Sequence, residues 1–303
     1  MTLTFCGLEL EHPIINGSGT FDAIAARRAF GEELLERFPF SAFVSKTITL
    51  KPRAGNPPPR LWETAAGMIN SIGLPNKGLE GYLAHDLPEL ARLPVPLITN
   101  VMGSTGGEIA ALIEAVDARE EIDAVELNVS CPNVKTGLDI GADPRELEAV
   151  VGRVRPLTGK PLIVKLTPNA SDVPAAAAAA EAAGADAVSL INTLRAYAPH
   201  PRNRSRPPRP WLGGGTGGLS GPAVRAVALA QVRAVAARVA IPIVGMGGVQ
   251  TGRHAADLLE AGATAVAVGT ESFRDPAAGT RIQHELHDLF AKSGDIAPTS
   301  RDV

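Results

Sequence analysis

Glu126-Leu127-Asn128-Val129-Ser130-Cys131-Pro132-Asn133-Val134-Lys135 is the stretch on which the fold turns. Its start continues the apolar run of Ala124-Val125 and reads as a strand. Pro132 has no N–H to give a central ladder, so that strand ends near the Cys131-Pro132 pair. A thiol flanked by two asparagines then stands at the C-terminal end of a strand, where a barrel or an open α/β sheet keeps its chemistry. A buried structural cysteine followed by an ordinary turn is the other reading of these residues alone.

The same pattern extends to both sides. Short apolar or β-branched runs predict strands over 14–16, 42–45, 96–100, 124–128, 162–165, 187–191, 242–245 and 265–268. Between them, periodicity predicts helices over 23–37, 107–118, 144–155, 173–183, 223–239, 253–261 and 276–290. Gly184 and Gly262 read as helix C-caps leading into strands. Eight strands alternating with helices imply a parallel sheet closed into a (β/α)8 TIM barrel, one α/β domain over 1–303. A doubly wound open sheet is disfavoured, since no Gly-x-Gly-x-x-Gly follows the first strand. A short N-terminal strand pair precedes the barrel, and insertions follow strands two, four and six. The first of these, about 49–88, is punctuated by Pro57-Pro58-Pro59, Gly67, Gly73, Pro75 and Gly78 and reads as turns and loops. The last, 192–220, is rich in Arg, Pro and Gly; its segment 195–215, with Arg202, Arg204, Arg206 and Arg209 among prolines, reads as a solvated surface loop, with a partner-docking or loop-ordering element as the other reading.

Composition narrows the class. The chain has 303 residues, 45% of them hydrophobic, enough for a large core. A net charge of -3 and a pI of about 6.1 give no electrostatic footprint for nucleic acid. Two cysteines far apart, Cys6 and Cys131, make neither a disulfide framework nor a zinc cluster. With no signal peptide and no apolar run of about 18 residues, a cytoplasmic protein without membrane association is expected.

The strand ends carry the function. Lys46 follows strand two, Asn100 strand three, Asn128 strand four, Lys165 strand five and Asn192-Thr193 strand six, while Gly247-Gly248 and Gly269-Thr270 follow strands seven and eight. Only seven of the 29 basic residues are lysines, so two of them at strand ends are notable. The glycine pairs, with Ser220-Gly221, suit close backbone approach to a phosphate, although tight βα turns would also use them. Asparagine amides match the edge of a pyrimidine or flavin ring, and a lysine stabilises a ring that becomes anionic on reduction. Glu126 shares inward parity with Asn128 and is expected beneath the site, neutralising Lys46 or Lys165. Lys165 as the nucleophile of a Schiff-base aldolase is a different reading of the same lysine.

Together these motifs resemble the class 1 dihydroorotate dehydrogenases, FMN-containing barrels of pyrimidine biosynthesis. The likeness runs from about His12 to Phe290. It rests on Asn16-Gly-Ser-Gly-Thr20, Lys46-Thr47, Gly55-Asn-Pro-Pro-Pro-Arg60, Asn70-Ser-Ile-Gly-Leu74, Asn128-Val-Ser-Cys-Pro-Asn133, Lys165-Leu-Thr-Pro-Asn169, Ile191-Asn-Thr193, Gly217-Gly-Leu-Ser-Gly-Pro222, Gly245-Met-Gly-Gly248 and Val268-Gly-Thr270. The resemblance implies oxidation of dihydroorotate to orotate, with Cys131 as base at C5 and hydride passing from C6 to N5 of FMN. It implies FMN contacts at Ser18, Lys46, Thr47, Asn100, Asn128, Lys165, Ile191, Gly221, Gly247, Gly248, Gly269 and Thr270. Substrate contacts are implied at Lys46, Asn70, Gly73, Leu74, Asn128, Asn133, Asn192 and Thr193, under a loop 132–141 hinged at Gly137 and Gly141. Gly141-Ala-Asp-Pro144 is more similar to class 1B, which passes electrons to NAD through a partner carrying FAD and an iron–sulfur cluster. A homodimer or heterotetramer follows from the same likeness. Class 1A, with fumarate as acceptor, is the competing subclass, and the dihydropyrimidine dehydrogenase barrel also uses FMN and a cysteine.

Overall fold

The computed structural model describes residues 2–130, 140–201 and 209–293. Its main sheet has eight strands: one (Ile14–Asn16), two (Phe43–Val44), three (Leu97–Val101), four (Ala124–Asn128), five (Leu162–Lys165), six (Ala187–Leu190), seven (Ile243–Met246) and eight (Ala265–Val268). The neighbour order is one-eight-seven-six-five-four-three-two. Every pairing is parallel. Strands one and two flank the seam that remains. There Ser41 N–H donates to the Ile14 carbonyl at 3.0 Å. Asn16 accepts from Val44 N–H at 2.7 Å and donates to the Val44 carbonyl at 2.9 Å. A side-chain amide thus takes the place of a peptide unit and closes the sheet into a (β/α)8 barrel.

Period-two alternation sorts the strand residues. Ile15, Ala42, Val44, Ile98, Ala124, Ile163, Ala187, Val244, Met246, Ala265 and Ala267 pack inside the barrel together with Phe5 and Leu10. Phe5 and Leu10 come from the antiparallel hairpin Leu3–Phe5/Leu8–Leu10. Its turn residues, Cys6 and Gly7, have φ of 50° and 79°, as the tightest hairpin turns require. Cys6 Sγ reaches the carbonyl of Asp186, just before strand six, so the hairpin plugs the N-terminal end of the barrel. Outward-facing Val125, Leu127, Val164, Val188, Leu190, Val266 and Val268 join the larger core shared with the surrounding helices. Those helices start on capping side chains: Thr105 for Gly106–Asp117, Asp143 for Pro144–Val154, Asp172 for Val173–Ala182 and Thr251 for Gly252–Glu260. Arg225–Ala236 and Ala278–Ser293 complete the long ones. Gly184 and Gly262 end their helices at φ of 91° and 111°, in the left-handed region expected of such caps.

Two expectations need correction. The helix over 23–37 divides into Ala23–Phe30 and Glu33–Glu36, because Gly31 turns left-handed at φ 75° and its N–H closes on the Arg27 carbonyl. The insertions after strands two and six are not bare loops. The first holds the hairpin Leu61–Thr64/Gly67–Asn70 and a helical stretch from Gly78 to Leu90, and the second holds strands Leu194–Tyr197 and Thr216–Ser220. The four strands form one antiparallel sheet, with Thr216–Ser220 and Gly67–Asn70 at its centre. Its central contact depends on glycine: a Cβ on Gly218 would lie 1.9 Å from Thr193 Oγ1, and one on Gly217 2.4 Å from the Asn70 carbonyl. Segment 195–215 is therefore partly built into structure. Leu212 is buried, and Trp211 meets Trp62 edge-on at 5.9 Å. Arg202, Arg204 and Arg206 lie outside the described residues, and Arg209 is exposed.

Candidate active site

Above the apolar layer inside the barrel, the inward positions become polar. Asn100 and Glu126 are register partners on strands three and four. Asn128, Lys165 and Ser189 form a row across strands four, five and six. Lys165 and Glu126 are only 6% and 3% exposed, so each charge needs a partner. Lys165 Nζ lies 3.7 Å from Glu126 Oε2, as the inward parity of Glu126 led us to expect. The Asn100 amide donates to that same oxygen, and Ser189 Oγ donates to Oε1 at 2.6 Å. Both carboxylate oxygens are therefore engaged. Because the Asn100 NH2 is turned to Glu126, its Oδ1 is left buried without a protein partner. Buried acceptors are seldom left empty, so this atom calls for an N–H from a bound molecule.

A second network lies at the ends of strands four and six. Ser130 donates to Asn128 Oδ1 twice, from its N–H at 3.1 Å and its hydroxyl at 2.9 Å. Asn192 Nδ2 donates to Ser130 Oγ at 2.5 Å, and Thr193 N–H donates to Asn192 Oδ1 at 2.8 Å. Asn128 Nδ2 points to Thr47 Oγ1 at 3.4 Å. Lys46 is exposed beyond strand two and runs across Gly19, where a Cβ would come within 2.7 Å of its Cδ and 2.9 Å of its Nζ. Ser18 donates to the Ser45 carbonyl at 2.7 Å. Within the small sheet beside this wall, Asn70 Nδ2 donates to the carbonyl of its register partner Gly218 at 3.3 Å. Beside it Gly73 and Leu74 are both left-handed, at φ 76° and 55°.

The glycine loops make a cradle. Gly221, Gly247 and Gly248 have φ of 89°, 133° and 71°. A Cβ on Gly247 would press on Ala228 at 2.7 Å and on Ile191 at 3.2 Å, and one on Gly248 would lie 3.0 Å from the Gly221 carbonyl. The missing side chains let these loops pack directly against one another at the start of helix Arg225–Ala236. Thr270 Oγ1 donates to Ser220 Oγ at 2.9 Å, joining the loop after strand eight to the same corner. Behind it Arg225 pairs with Asp257, while burial and then the Arg225 charge hold His254 below the usual imidazole range.

Of the residues singled out in the sequence, Ser18, Lys46, Thr47, Asn70, Gly73, Leu74, Asn100, Asn128, Lys165, Ile191, Asn192, Thr193, Gly221, Gly247, Gly248, Gly269 and Thr270 are described, all in strands or loops at this end of the barrel or in the small sheet beside it. Asn100 lies within strand three rather than after it. Cys131, Asn133, Gly137 and most of the loop 132–141 lie outside the described residues. Gly141 is held by a hydrogen bond from its N–H to the Val129 carbonyl at 3.1 Å. Ser130 and Ser189 were not singled out, although the inward parity of Ser130 two positions beyond Asn128 was visible.

Fold and site define a (β/α)8 barrel whose mouth combines closely packed glycine loops, a buried lysine and an amide-lined wall. The family model for dihydroorotate dehydrogenase matches residues 1–290, and the chain belongs to that family. It is similar to the protein named dihydroorotate dehydrogenase B (NAD(+)), catalytic subunit, of Desulforudis audaxviator, with 45% identity covering 96% of this chain and 93% of that one. Proteins of the same name from Geotalea daltonii, at 43% identity over 97% and 94%, and Pelobacter propionicus, at 45% over 97% and 94%, are similar to it as well.

Proposed function

We propose that this chain is the catalytic subunit of an NAD-linked dihydroorotate dehydrogenase, oxidising dihydroorotate to orotate in pyrimidine biosynthesis. The observation that carries the reading is the buried, unpartnered Asn100 Oδ1 on the amide that binds the Glu126 carboxylate of the Lys165–Glu126 pair. That pairing of an acceptor with a cation fits the imide edge of a flavin, and the cradle at Gly221, Gly247, Gly248, Gly269 and Thr270 fits the phosphate of FMN. Ser18, Lys46, Thr47, Asn128 and Ile191 complete the set that would hold it. Bound FMN supplies the acceptor for the hydride that leaves C6 of the substrate.

The chain's own residues do the rest. Lys165 keeps a positive charge next to the ring and stabilises negative charge that develops there, with Glu126 and Asn100 fixing its direction. Asn70, Gly73, Leu74, Asn128, Asn133, Asn192, Thr193 and Lys46 hold the substrate ring and its carboxylate. Cys131, as the thiolate, takes the proton from C5 and becomes the thiol, a role that needs a depressed pKa or a hydrogen-bond relay near neutral pH. A Schiff-base reaction at Lys165 would need a free amine, whereas here the amine is paired with a buried carboxylate.

Onward transfer to NAD falls to a partner subunit with FAD and an iron–sulfur cluster, since two cysteines cannot supply four thiolate ligands. Among the described residues no group of three or more His, Cys, Asp or Glu is placed to hold a metal, and no helix is long and apolar enough to cross a membrane. The purified chain is expected to be yellow and to bleach on anaerobic addition of dihydroorotate. Cys131→Ser should keep the flavin and bleach far more slowly. A colourless protein trapped on substrate by borohydride would overturn the reading.

A further inference from the structure

The pocket asparagines could each offer a ligand either a carbonyl oxygen or an NH2, and something must decide which. At Asn100 the decision is made by Glu126. At Asn128 it is made by Ser130, whose N–H and hydroxyl together occupy Oδ1. The same hydroxyl, having given its proton to Asn128, has only lone pairs left, and one of them accepts from Asn192 Nδ2 at 2.5 Å. The Thr193 N–H on Asn192 Oδ1 fixes the opposite end of that amide. Ser130 is 1% exposed, so water has no access to replace the hydroxyl in this chain of bonds.

From this geometry we infer that Ser130 is a positioning residue that locks Asn128 and Asn192 with an N–H of each available to the pocket, so that the site selects ligands presenting oxygen acceptors there. A substrate with ring carbonyls and a carboxylate meets that demand, and a ring bearing amino groups at the same positions does not. Ser130 acts through the two amides and needs no contact with the substrate. The inference rests on the dihydroorotate reading of the pocket.

The test uses the flavin-loaded chain and reads binding of orotate, without turnover, from the change in the flavin spectrum. Ser130→Ala should weaken orotate about tenfold or more, the scale of one or two lost positioning bonds, and raise KM for dihydroorotate more than it lowers kcat. Flavin affinity, which draws on Asn128 among many other contacts, should fall less than orotate affinity. Selectivity is the sharper readout. Once the hydroxyl is lost, Asn128 and Asn192 are each held at Oδ1 by a backbone N–H alone, so both amides are oriented less firmly and the preference for orotate over an analogue with one ring carbonyl replaced by an amino group should shrink severalfold. A general loosening would weaken both ligands alike and leave the ratio unchanged, which would overturn the inference. Ser130→Thr, which keeps the hydroxyl, should restore the ratio; if its extra methyl prevents folding, the Ser130→Ala ratio decides alone. Wild-type chain that fails to bind orotate would instead sink the dihydroorotate reading.

Discussion

Replacing Glu126 by Gln removes one charge from a buried pair while keeping the shape of the side chain. The Lys165–Glu126 separation of 3.7 Å corresponds to about 4 kcal/mol of attraction at an effective dielectric of about 20. The substitution also leaves one oxygen where Asn100 and Ser189 now have two. Breaking a buried pair from one side typically costs about 3–5 kcal/mol, because the remaining charge stays desolvated. In a chain of this size that corresponds to a melting temperature lower by roughly 5–8 °C. Calorimetry on Glu126→Gln, Lys165→Met and the double variant separates the pair from its surroundings. The double variant should be less destabilised than the sum of the singles by about 2–4 kcal/mol, since it no longer buries a lone charge. A coupling below about 0.5 kcal/mol would refute the buried pair as the element that orders this layer. The NH2 introduced by Glu126→Gln can also donate to Asn100, turning its amide over, so flavin affinity should fall together with stability.

Asn16→Ala should open the barrel seam by leaving the Val44 N–H and carbonyl without partners in a buried position, at a cost of about 2–5 kcal/mol. Urea titration followed by far-ultraviolet dichroism would measure this, and a loss under about 0.5 kcal/mol would mean that the seam closes by other means. His12 is held near pKa 4, against 6.5, chiefly by burial and then by neighbouring positive charge that includes His284. The unfolded chain therefore takes up this proton first, so His12 stability is full above about pH 6.5 and is lost as pH falls toward 4. The urea midpoint should drop across that window, and His12→Gln should flatten the drop. An identical pH profile in the variant would remove His12 as its source.

The barrel was readable because strands buried on both faces are apolar nearly throughout, as in Leu162-Ile-Val and Ala265-Val-Ala-Val268. The polar residues that end such runs then stand out, which is how Asn128 and Lys165 were found. The small antiparallel sheet was hidden. Its strands are four or five residues long, two contain glycine, and each central strand meets the other only across about 150 residues of chain. No local period reports such a pairing. Asn16 was visible as part of a motif, but its use as a seam depends on Val44 arriving beside it in three dimensions. Ser130 had the right parity, yet its bonds to Asn192 join strand ends that only closure of the barrel brings together.

The small sheet has a consequence for exchanging parts between related barrels. The hairpin 61–70 and the strands Leu194–Tyr197 and Thr216–Ser220 come from separate inserts in the chain but form one sheet in the fold, locked at Gly218↔Asn70, with Asn70 and the neighbouring Thr193 beside the pocket wall. A chimera that imports only one insert brings half an interface, and Ile69 and Asn70 then lose the matched Gly217 that lets their strand approach so closely. Grafts intended to change what this barrel accepts should therefore move the two inserts as a matched pair, and inheritance of one without the other should be selected against.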